Sequence, residues 1–278
     1  MKTLNSLSGG ATSSYMAVKY PADYDVFALV CIDYEPARPK DTMLVQMVND
    51  KLQKHSFNKS EFIATAEDVK TLKVVFDLEQ MIGREIAWVR GVSFDELIRK
   101  RKAIPNAFKR FCTTELKIEA IKDFVIHTVR EPVFMRQGIR MDEAERAKNG
   151  WKQIYIDSIE VVGKNGKLKR QKIGWAVSHY PMIDDRVFYP EILKFKRESG
   201  LYFPQNSNCS HCFWKSSAEL RQNIETNQHV IEWARSMEIL MNRQWKDDVS
   251  FRQILGMGLQ AELSFGGGSS CQSGFCTD

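Results

Sequence analysis

The sequence predicts an α/β fold with a doubly wound, mostly parallel sheet, followed by a smaller helical region that bears cysteines. Residues 26–32 form an unbroken apolar run that ends at Asp33, which is typical of a parallel strand buried on both faces. Strand and helix patterns alternate at the spacing of βα units until about residue 150, where the pattern changes. We therefore expect an α/β domain over residues 1–150 and a second region over residues 151–278.

Caps and periodicity justify the elements of the first region. Asp41 is a suitable helix N-cap, Gly83 is a suitable helix end, and Ser93 with Glu96 has the spacing of a capping box. The expected elements are helices at 14–20, after 41, at 69–82, after 93 and around 116–124, and strands at 26–32, 61–64 and 132–137. This order places the loop after residue 7, Asp33 and the segment after 137 at strand ends, where ligands of such sheets bind.

The second region combines a hairpin, two helical patterns and a cysteine-bearing tail. Asn165 and Gly166 are a strong hairpin signal between two candidate strands at 159–162 and 168–170. Helical patterns follow at 187–196 and around 230–240, where Met and Trp residues are expected to pack in a core. A Gly/Ser linker at 266–270 precedes Cys271 and Cys276, and we expect this tail to be flexible.

Composition favours a folded protein that does not enter a membrane. The 278 residues are 43% hydrophobic and 27% charged, which is enough to bury a large core. No apolar run is long enough to span a bilayer, and no secretory segment follows the first residues, so cytoplasmic residence is the expectation. The net charge is only +5, but basic residues crowd segments 99–110 and 164–172. These segments either bind phosphates of a nucleotide or nucleic acid or are solvated faces.

Residues 8–13, with the sequence Ser-Gly-Gly-Ala-Thr-Ser, are the most informative motif. Two glycines can take positive φ and direct backbone N–H groups into one concavity, and the following helix presents its positive end there. A phosphate cradle is one interpretation, and a Gly-Gly turn with Ser and Thr caps is the other. The candidate phosphate-binding residues are Ser8, Gly9, Gly10, Thr12 and Ser13.

The cysteines suggest a metal centre or reactive thiols. Cys209 and Cys212 form a C-x-x-C pair, in which two thiolates can face one ion, and further cysteines can complete four ligands. Cys31 lies within an apolar run and is expected to behave as a small hydrophobe. His211 is expected to point away from an ion shared by its neighbours. Spacing alone leaves iron–sulfur, zinc and unliganded thiols open.

Four segments together resemble the phosphoadenosine phosphosulfate (PAPS) reductase branch of the PP-loop adenine nucleotide α-hydrolases. Residues 8–13 are similar to the PP-loop of that superfamily, and residues 110–117, Arg-Phe-Cys-Thr-Thr-Glu-Leu-Lys, resemble a second family segment. Residues 137–143, Gln-Gly-Ile-Arg-Met-Asp-Glu, and 208–213, Asn-Cys-Ser-His-Cys-Phe, complete the set in the family's order. The resemblance spans residues 4–214, most of the chain.

This resemblance implies binding of ATP or a sulfonucleotide with Mg²⁺. It implies that Gly138 and Arg140 approach phosphates and that Asp142 or Glu143 holds a ribose hydroxyl or Mg²⁺, although these carboxylates also suit a helix N-terminus. Catalytic roles would fall to Cys112, Lys117 and Cys276. It also implies a 4Fe-4S cluster on three cysteines, with Cys276 as fourth ligand and a zinc site as the alternative. The ligands would be Cys112, Cys209, Cys212 and Cys276.

Two departures from the family direct the functional expectation. The Glu-Cys-Gly-x-His motif of assimilatory reductases is absent, and Thr113 stands where iron–sulfur reductases carry a second cysteine. We therefore expect adenylate activation or sulfur transfer to a nucleic acid or small-molecule acceptor. The alternatives are direct thiol reduction of a sulfonucleotide, and a nucleotide- or nucleic-acid-binding module with structural zinc.

Overall fold

One large sheet forms the centre of the molecule. The computed structural model describes residues 1–147, 154–162, 168–205 and 207–258. Its strands are β1 (Lys2–Leu7), β2 (Tyr24–Ala28), β3 (Cys31–Ile32), β4 (Ala64–Thr65), β5 (Ile86–Val89), β6 (Val133–Gln137), β7 (Ile154–Val162) and β8 (Leu168–His179). Six of them pair in the order β5-β2-β1-β6-β8-β7, and every neighbouring pair is parallel except β7 with β8. The predicted α/β class with a mostly parallel sheet is confirmed.

Helices cover both faces of this sheet. They are α1 (Ala11–Lys19), α2 (Thr42–His55), α3 (Val69–Ile82), α4 (Phe94–Arg101), α5 (Glu119–Phe124), α6 (Pro181–Asp184), α7 (Tyr189–Glu198), α8 (Ser217–Met241) and α9 (Phe251–Gly256). Phe27 of β2 packs with Met16 of α1 on one face, whereas its neighbour Val26 packs with Phe124 of α5 on the other. Successive residues of a strand point to opposite faces, so burial on both faces requires an uninterrupted apolar sequence.

The predicted continuous strand at 26–32 is wrong in its extent. Strand β2 ends at Ala28, and Cys31–Ile32 pairs antiparallel with Ala64–Thr65 in a separate two-stranded sheet. The chain changes its hydrogen-bonding partner between Leu29 and Val30. The N–H of Leu29 donates to Val89 O at 2.9 Å, whereas Val30 O accepts from Ala66 N at 3.0 Å. The run stays apolar because both segments are buried, and hydrophobicity reports burial rather than strand continuity.

The predicted helix ends are present, although Ser93 and Glu96 form only one half of the predicted capping box. Asp41 caps α2 by accepting a 3.0 Å hydrogen bond from Leu44 N, and Ser93 caps α4 by accepting one of 3.2 Å from Glu96 N. Gly83 ends α3 in the left-handed region at φ +60°. Two π-helical turns, Thr113–Ile118 and Val125–Val129, flank α5 and have no counterpart in the prediction. Asn165 and Gly166 lie outside the described residues, but β7 and β8 pair antiparallel on either side of them.

A second core binds the C-terminal helices to the C-x-x-C segment. His211 is buried among aromatic rings, with its ring centroid 4.4 Å from that of Trp245 and 5.0 Å from that of Trp233. Burial lowers the pKa of His211 to about 3, so its ring is neutral at pH 7. Ser210 N donates to Ala66 O at 2.7 Å, which fixes this segment against β4. The second core therefore positions Cys209 and Cys212.

Candidate functional site

A cavity of about 220 Å³ opens at the carboxyl ends of β1, β2 and β6. Strand order reverses here, because the chain leaves β1 towards β2 on one side and later returns to β6 on the other. The separate loops after such strands diverge and leave a crevice. The lining includes Ser8, Gly10, Thr12, Ser13, Thr113, Lys117, Gly138, Arg140, Tyr189, Lys196 and Ser207. We call this space the switch-point cavity.

The loop after β1 folds over its own side chains. Ser13 Oγ accepts from Ser8 N at 3.2 Å and donates to Gly10 O at 3.1 Å, which fixes the curve of the loop. Gly10 is the N-cap residue of α1, and the first turn of that helix contains no acidic side chain. Thr12 and Ser13 of this turn line the cavity. The positive end of α1 is therefore directed at a space where an anion is favoured.

The two glycines of this loop serve different purposes. Gly9 has φ +70°, and a Cβ there would come within 2.4 Å of Thr71 Cγ2 on α3, so Gly9 permits the turn and its packing. Gly10 has φ −91°, which any residue can adopt, but a Cβ there would lie 2.5 Å from Ser207 Oγ at the cavity wall. Gly10, rather than Gly9, is the glycine that keeps the cavity open.

The loop after β6 meets the first loop directly. A Cβ on Gly138 would lie 3.3 Å from Ser13 Cα, so a small residue allows this close approach. The buried Arg140 donates from Nη1 to Thr12 Oγ1 at 3.3 Å and from Nε to Asp142 Oδ1 at 3.1 Å. Its guanidinium also lies 3.2 Å from Glu143. The family-like segments at 8–13 and 137–143 are thus joined through Arg140.

Asp33 and Asp142 have other partners than those predicted from the sequence. Asp33 follows β3 in the small sheet; it is hydrogen-bonded to Ser93, and its N–H donates to Asp95 Oδ2 at 2.7 Å. Asp33 is not among the cavity-lining residues of the described chain. Asp142 pairs with Arg140, and its side chain is 36% exposed. A role for either carboxylate in binding ribose or Mg²⁺ stays a prediction.

Lys117 extends from the π-helical turn Thr113–Ile118 to the cavity, where it pairs with a carboxylate that the sequence prediction missed. Its Nζ lies 2.8 Å from Oε1 of Glu67, whose side chain is fully buried and whose Oε2 has no hydrogen-bond partner within the described residues. Burial alone would lower the pKa of Lys117, but Glu67 and Cys209 raise it above its ordinary value. Lys117 is therefore a fixed cation at the cavity wall.

Two thiols interact with this cation, and a third interacts with one of them. Cys112 and Cys209 interact electrostatically with Lys117 and with each other, and Cys209 also interacts with Cys212. Burial raises the pKa of the Cys112 and Cys209 thiols, and Lys117 counteracts part of that effect. Cys31 is buried in the core with its pKa raised to about 12 by burial, as expected for a small hydrophobe. The C-x-x-C segment and Cys112 thus converge beside the cavity.

The predicted metal ligands are only partly covered by the structure. Among the residues that the structure describes, no three His, Cys, Asp or Glu side chains are arranged to hold a metal ion. Cys276, the expected fourth ligand, lies outside the described residues. Cys112, Cys209 and Cys212 have the donor chemistry of a soft-metal site. The predicted metal centre stays a prediction, and no step proposed below depends on it.

Helix α7 supplies a cavity wall that sequence reasoning did not identify. The ring of Tyr189 stacks on Arg140, with 4.9 Å between guanidinium carbon and ring centroid. Lys196 lies seven residues after Tyr189, about two helical turns further along α7. It is exposed and has no ion-pair partner in the described part of the chain. These residues are more than 40 positions from the loops at 8–13 and 137–143, and no local pattern distinguishes them from an ordinary amphipathic helix.

The fold and the cavity together define an α/β protein with a cavity at the switch point of a mostly parallel sheet, the place where ligands of such sheets bind. Within the described residues, no helix combines the length and apolarity needed to cross a bilayer. Comparison of the chain with protein-family models, curated proteins and solved structures gives no match. The geometry of this cavity and the sequence resemblance are therefore the two indications of function.

Proposed function

We propose that the switch-point cavity binds the phosphates of ATP or a sulfonucleotide and that the protein is a PP-loop enzyme resembling PAPS reductases. The observation that carries this proposal is the convergence of two glycine-containing loops and the start of α1 on one cavity, with Lys117 on its wall. Backbone N–H groups and a helix N-terminus bind phosphate without any need for sequence-specific side chains. Cys112, five residues before Lys117, supplies the reactive sulfur in this proposal.

The chemistry favoured by this arrangement is adenylate activation followed by sulfur transfer. An acceptor oxygen bonds to the α-phosphorus of ATP, and the bond to the bridging oxygen of the β-phosphate breaks, releasing pyrophosphate. The outer sulfur of a Cys112 persulfide, which a persulfide-donating partner supplies, then bonds to the acceptor carbon while AMP leaves with the acceptor oxygen. A second thiol, for which Cys209 is the candidate, attacks the Cys112 sulfur and breaks its bond to the transferred sulfur. The thiolated acceptor is released, and a Cys112–Cys209 disulfide forms that an external thiol reduces. Lys117 offsets negative charge on the phosphates, and the loop N–H groups orient them. ATP enters with Mg²⁺, for which Asp142 is the candidate ligand.

The clustering of thiols also supports a second candidate, the reduction of a sulfonucleotide. A Cys112 thiolate would attack the sulfonate sulfur, the sulfur–oxygen bond to the nucleotide would break, and the nucleotide phosphate would leave. Attack by a second thiol, for which Cys209 is the candidate, would release sulfite and form a disulfide. Two thiols are oxidised and one sulfonate is reduced, so the electrons balance.

Calorimetry with Gly10→Val tests the nucleotide site. The Gly10 backbone already suits a β-branched residue, but its Cβ would lie 2.5 Å from Ser207 Oγ. Val should therefore displace Ser207 and narrow the cavity while the loop keeps its backbone conformation. We expect wild-type protein to bind ATP with Mg²⁺ or adenylyl sulfate and the variant to lose at least about tenfold in affinity. Gly256→Val is the matched control, because a Cβ there meets nothing within 4 Å. A folded Gly10→Val protein with wild-type affinity, or wild-type protein that binds neither nucleotide, would contradict the proposal.

A further inference from the structure

A basic segment with an exposed aromatic tip lies between α4 and Cys112. Phe108 is 83% exposed. This is unusual for an aromatic side chain, because a ring in solvent gains no stabilisation from packing. The cationic side chains of this segment, which we call the basic tip, are Arg99, Lys100, Arg101, Lys102, Lys109 and Arg110. An aromatic ring held among cations is the pattern of a surface that stacks bases and contacts phosphates.

The basic tip is ordered rather than loose. Asn106 and Lys109 exchange two backbone hydrogen bonds of 3.2 Å, and Asn106 Oδ1 accepts from Phe108 N at 3.1 Å and from Lys109 N at 3.0 Å. This tight turn holds Phe108 at its apex. Lys102 follows α4 with φ 49°, in the left-handed region. Glycine is the residue that this conformation favours, but the chain has a lysine there.

Three of the six cations of the basic tip have no acidic partner within the described residues. Glu115 is the acidic side chain that faces it, lying 3.7 Å from Lys100 and bonded to Arg101. Arg99, Lys102 and Lys109 are exposed and have no ion-pair partner within the described residues. The remaining charge is therefore positive and is directed to solvent, which suits a polyanion.

The basic tip adjoins the switch-point cavity. Glu115 pairs with the tip, whereas Thr113 and Lys117 of the same π-helical turn line the cavity. A second exposed ring, Tyr202 at 86% exposure, directly precedes the cavity-lining Phe203. A chain bound on the tip thus needs only a short path to reach the cavity.

We propose that the basic tip binds a single-stranded polynucleotide and presents one of its nucleotides to the cavity as the acceptor. Phe108 stacks on a base, and Arg99, Lys102 and Lys109 contact the backbone phosphates. The acceptor role rests on the proposed function, whereas binding of the polynucleotide does not. Stacking on a ring is tolerant of sequence, so the surface selects single strands rather than a base sequence.

Fluorescence anisotropy with the full chain and labelled 20-nucleotide single strands tests this inference. We expect binding of RNA or DNA single strands that weakens with salt, with a slope of log affinity against log salt of about −2 for three phosphate contacts. Phe108→Ser should lower affinity at least about fivefold through lost stacking. Arg99→Glu with Lys102→Glu should weaken binding and flatten the salt slope. The matched controls are Phe57→Ser, at an exposed ring stacked on His127 elsewhere, and Lys194→Glu on α7.

Three outcomes would overturn the inference. They are no binding of single strands at 50 mM salt by wild-type protein, equal losses in the Phe57 and Phe108 variants, or tighter binding to anionic lipid vesicles than to either polynucleotide. Calorimetry with ATP separates this inference from the proposed function, because Phe108→Ser should bind ATP as wild type does. Wild-type protein that binds ATP but no single strand would contradict the inference alone.

Discussion

At the scale of single residues, Lys117 has two places in the structure: a buried ion pair and the wall of the candidate site. It neutralises Glu67, whose side chain is fully buried, and it lines the switch-point cavity. Lys117 was predicted from its place in a family-like segment, but nothing in the sequence around Glu67 distinguishes a buried carboxylate from a surface one. Removal of either partner leaves the other as an uncompensated charge, so the two roles of Lys117 must be separated by substituting both residues.

We predict that Lys117→Met destabilises the protein by about 3 kcal/mol, because Glu67 is left buried without a counterion. The double variant with Glu67→Gln and Lys117→Met should recover most of that stability. Its affinity for ATP should remain below that of wild type, because the cation is missing. Glu67→Gln alone is the comparison variant: it should also be destabilised, because Lys117 loses its counterion, but it keeps the Lys117 side chain and should bind ATP more tightly than the double variant. Urea unfolding and calorimetry give the two quantities. Wild-type affinity in the stable double variant would show that Lys117 is structural only.

At the scale of elements, local signals were sufficient where the interaction itself is local. The caps at Asp41 and Ser93 and the helix end at Gly83 depend on neighbours within a few residues, and all three were predicted. The break between Ala28 and Cys31 was not, because it follows from a change of partner to β4, more than 30 positions away. The contribution of α7 to the wall of the switch-point cavity was missed for the same reason. Sequence periodicity shows which face of an element is buried but not which element covers it.

The ends of α2, α3 and β5 are joined by an ionic network centred on Glu85. Its carboxylate lies 2.6 Å from Lys54 Nζ, 3.1 Å from His55 Nε2 and 3.4 Å from Lys51 Nζ, and Lys51 also pairs with Glu79 of α3 at 2.8 Å. The hydrogen bond from Lys54 is the largest cause that lowers the pKa of Glu85 from 4.5 to about 2. A depressed carboxyl pKa in the folded state stabilises the protein above the unfolded pKa and ceases to do so as pH falls through the folded value.

We predict that Glu85→Gln lowers the free energy of unfolding by about 0.5–1 kcal/mol at pH 7, a modest value because the side chain is 46% exposed. The difference from wild type should shrink as pH falls from about 4.5 towards 2. Urea unfolding at several pH values measures it. Glu61→Gln, which removes one ion pair from a side chain 68% exposed, is the control and should differ less. A difference from wild type that does not change with pH would contradict the assigned cause.

At the scale of the whole molecule, the sheet order creates the site. Because β1 lies between β2 and β6, the loops after β1 and β6 meet, and Arg140 joins them through Thr12. The second core, built from α4, α8 and α9, brings the C-x-x-C segment to the same region by fixing Ser210 against Ala66. Alternation of strands and helices predicted the sheet, and family-like motifs predicted several lining residues. The placement of Asp33 away from the cavity and the pairing of Lys117 with Glu67 depend on tertiary contacts that no motif records.

The most direct test of the central claim is a crystal structure of the protein with ATP and Mg²⁺, or with adenylyl sulfate if calorimetry favours that ligand. We predict phosphate oxygens within about 3 Å of backbone nitrogens of residues 10–13, with Lys117 or Lys196 facing the phosphate chain. A nucleotide bound elsewhere on the surface, with the switch-point cavity free of it under conditions that saturate binding in solution, would contradict the account.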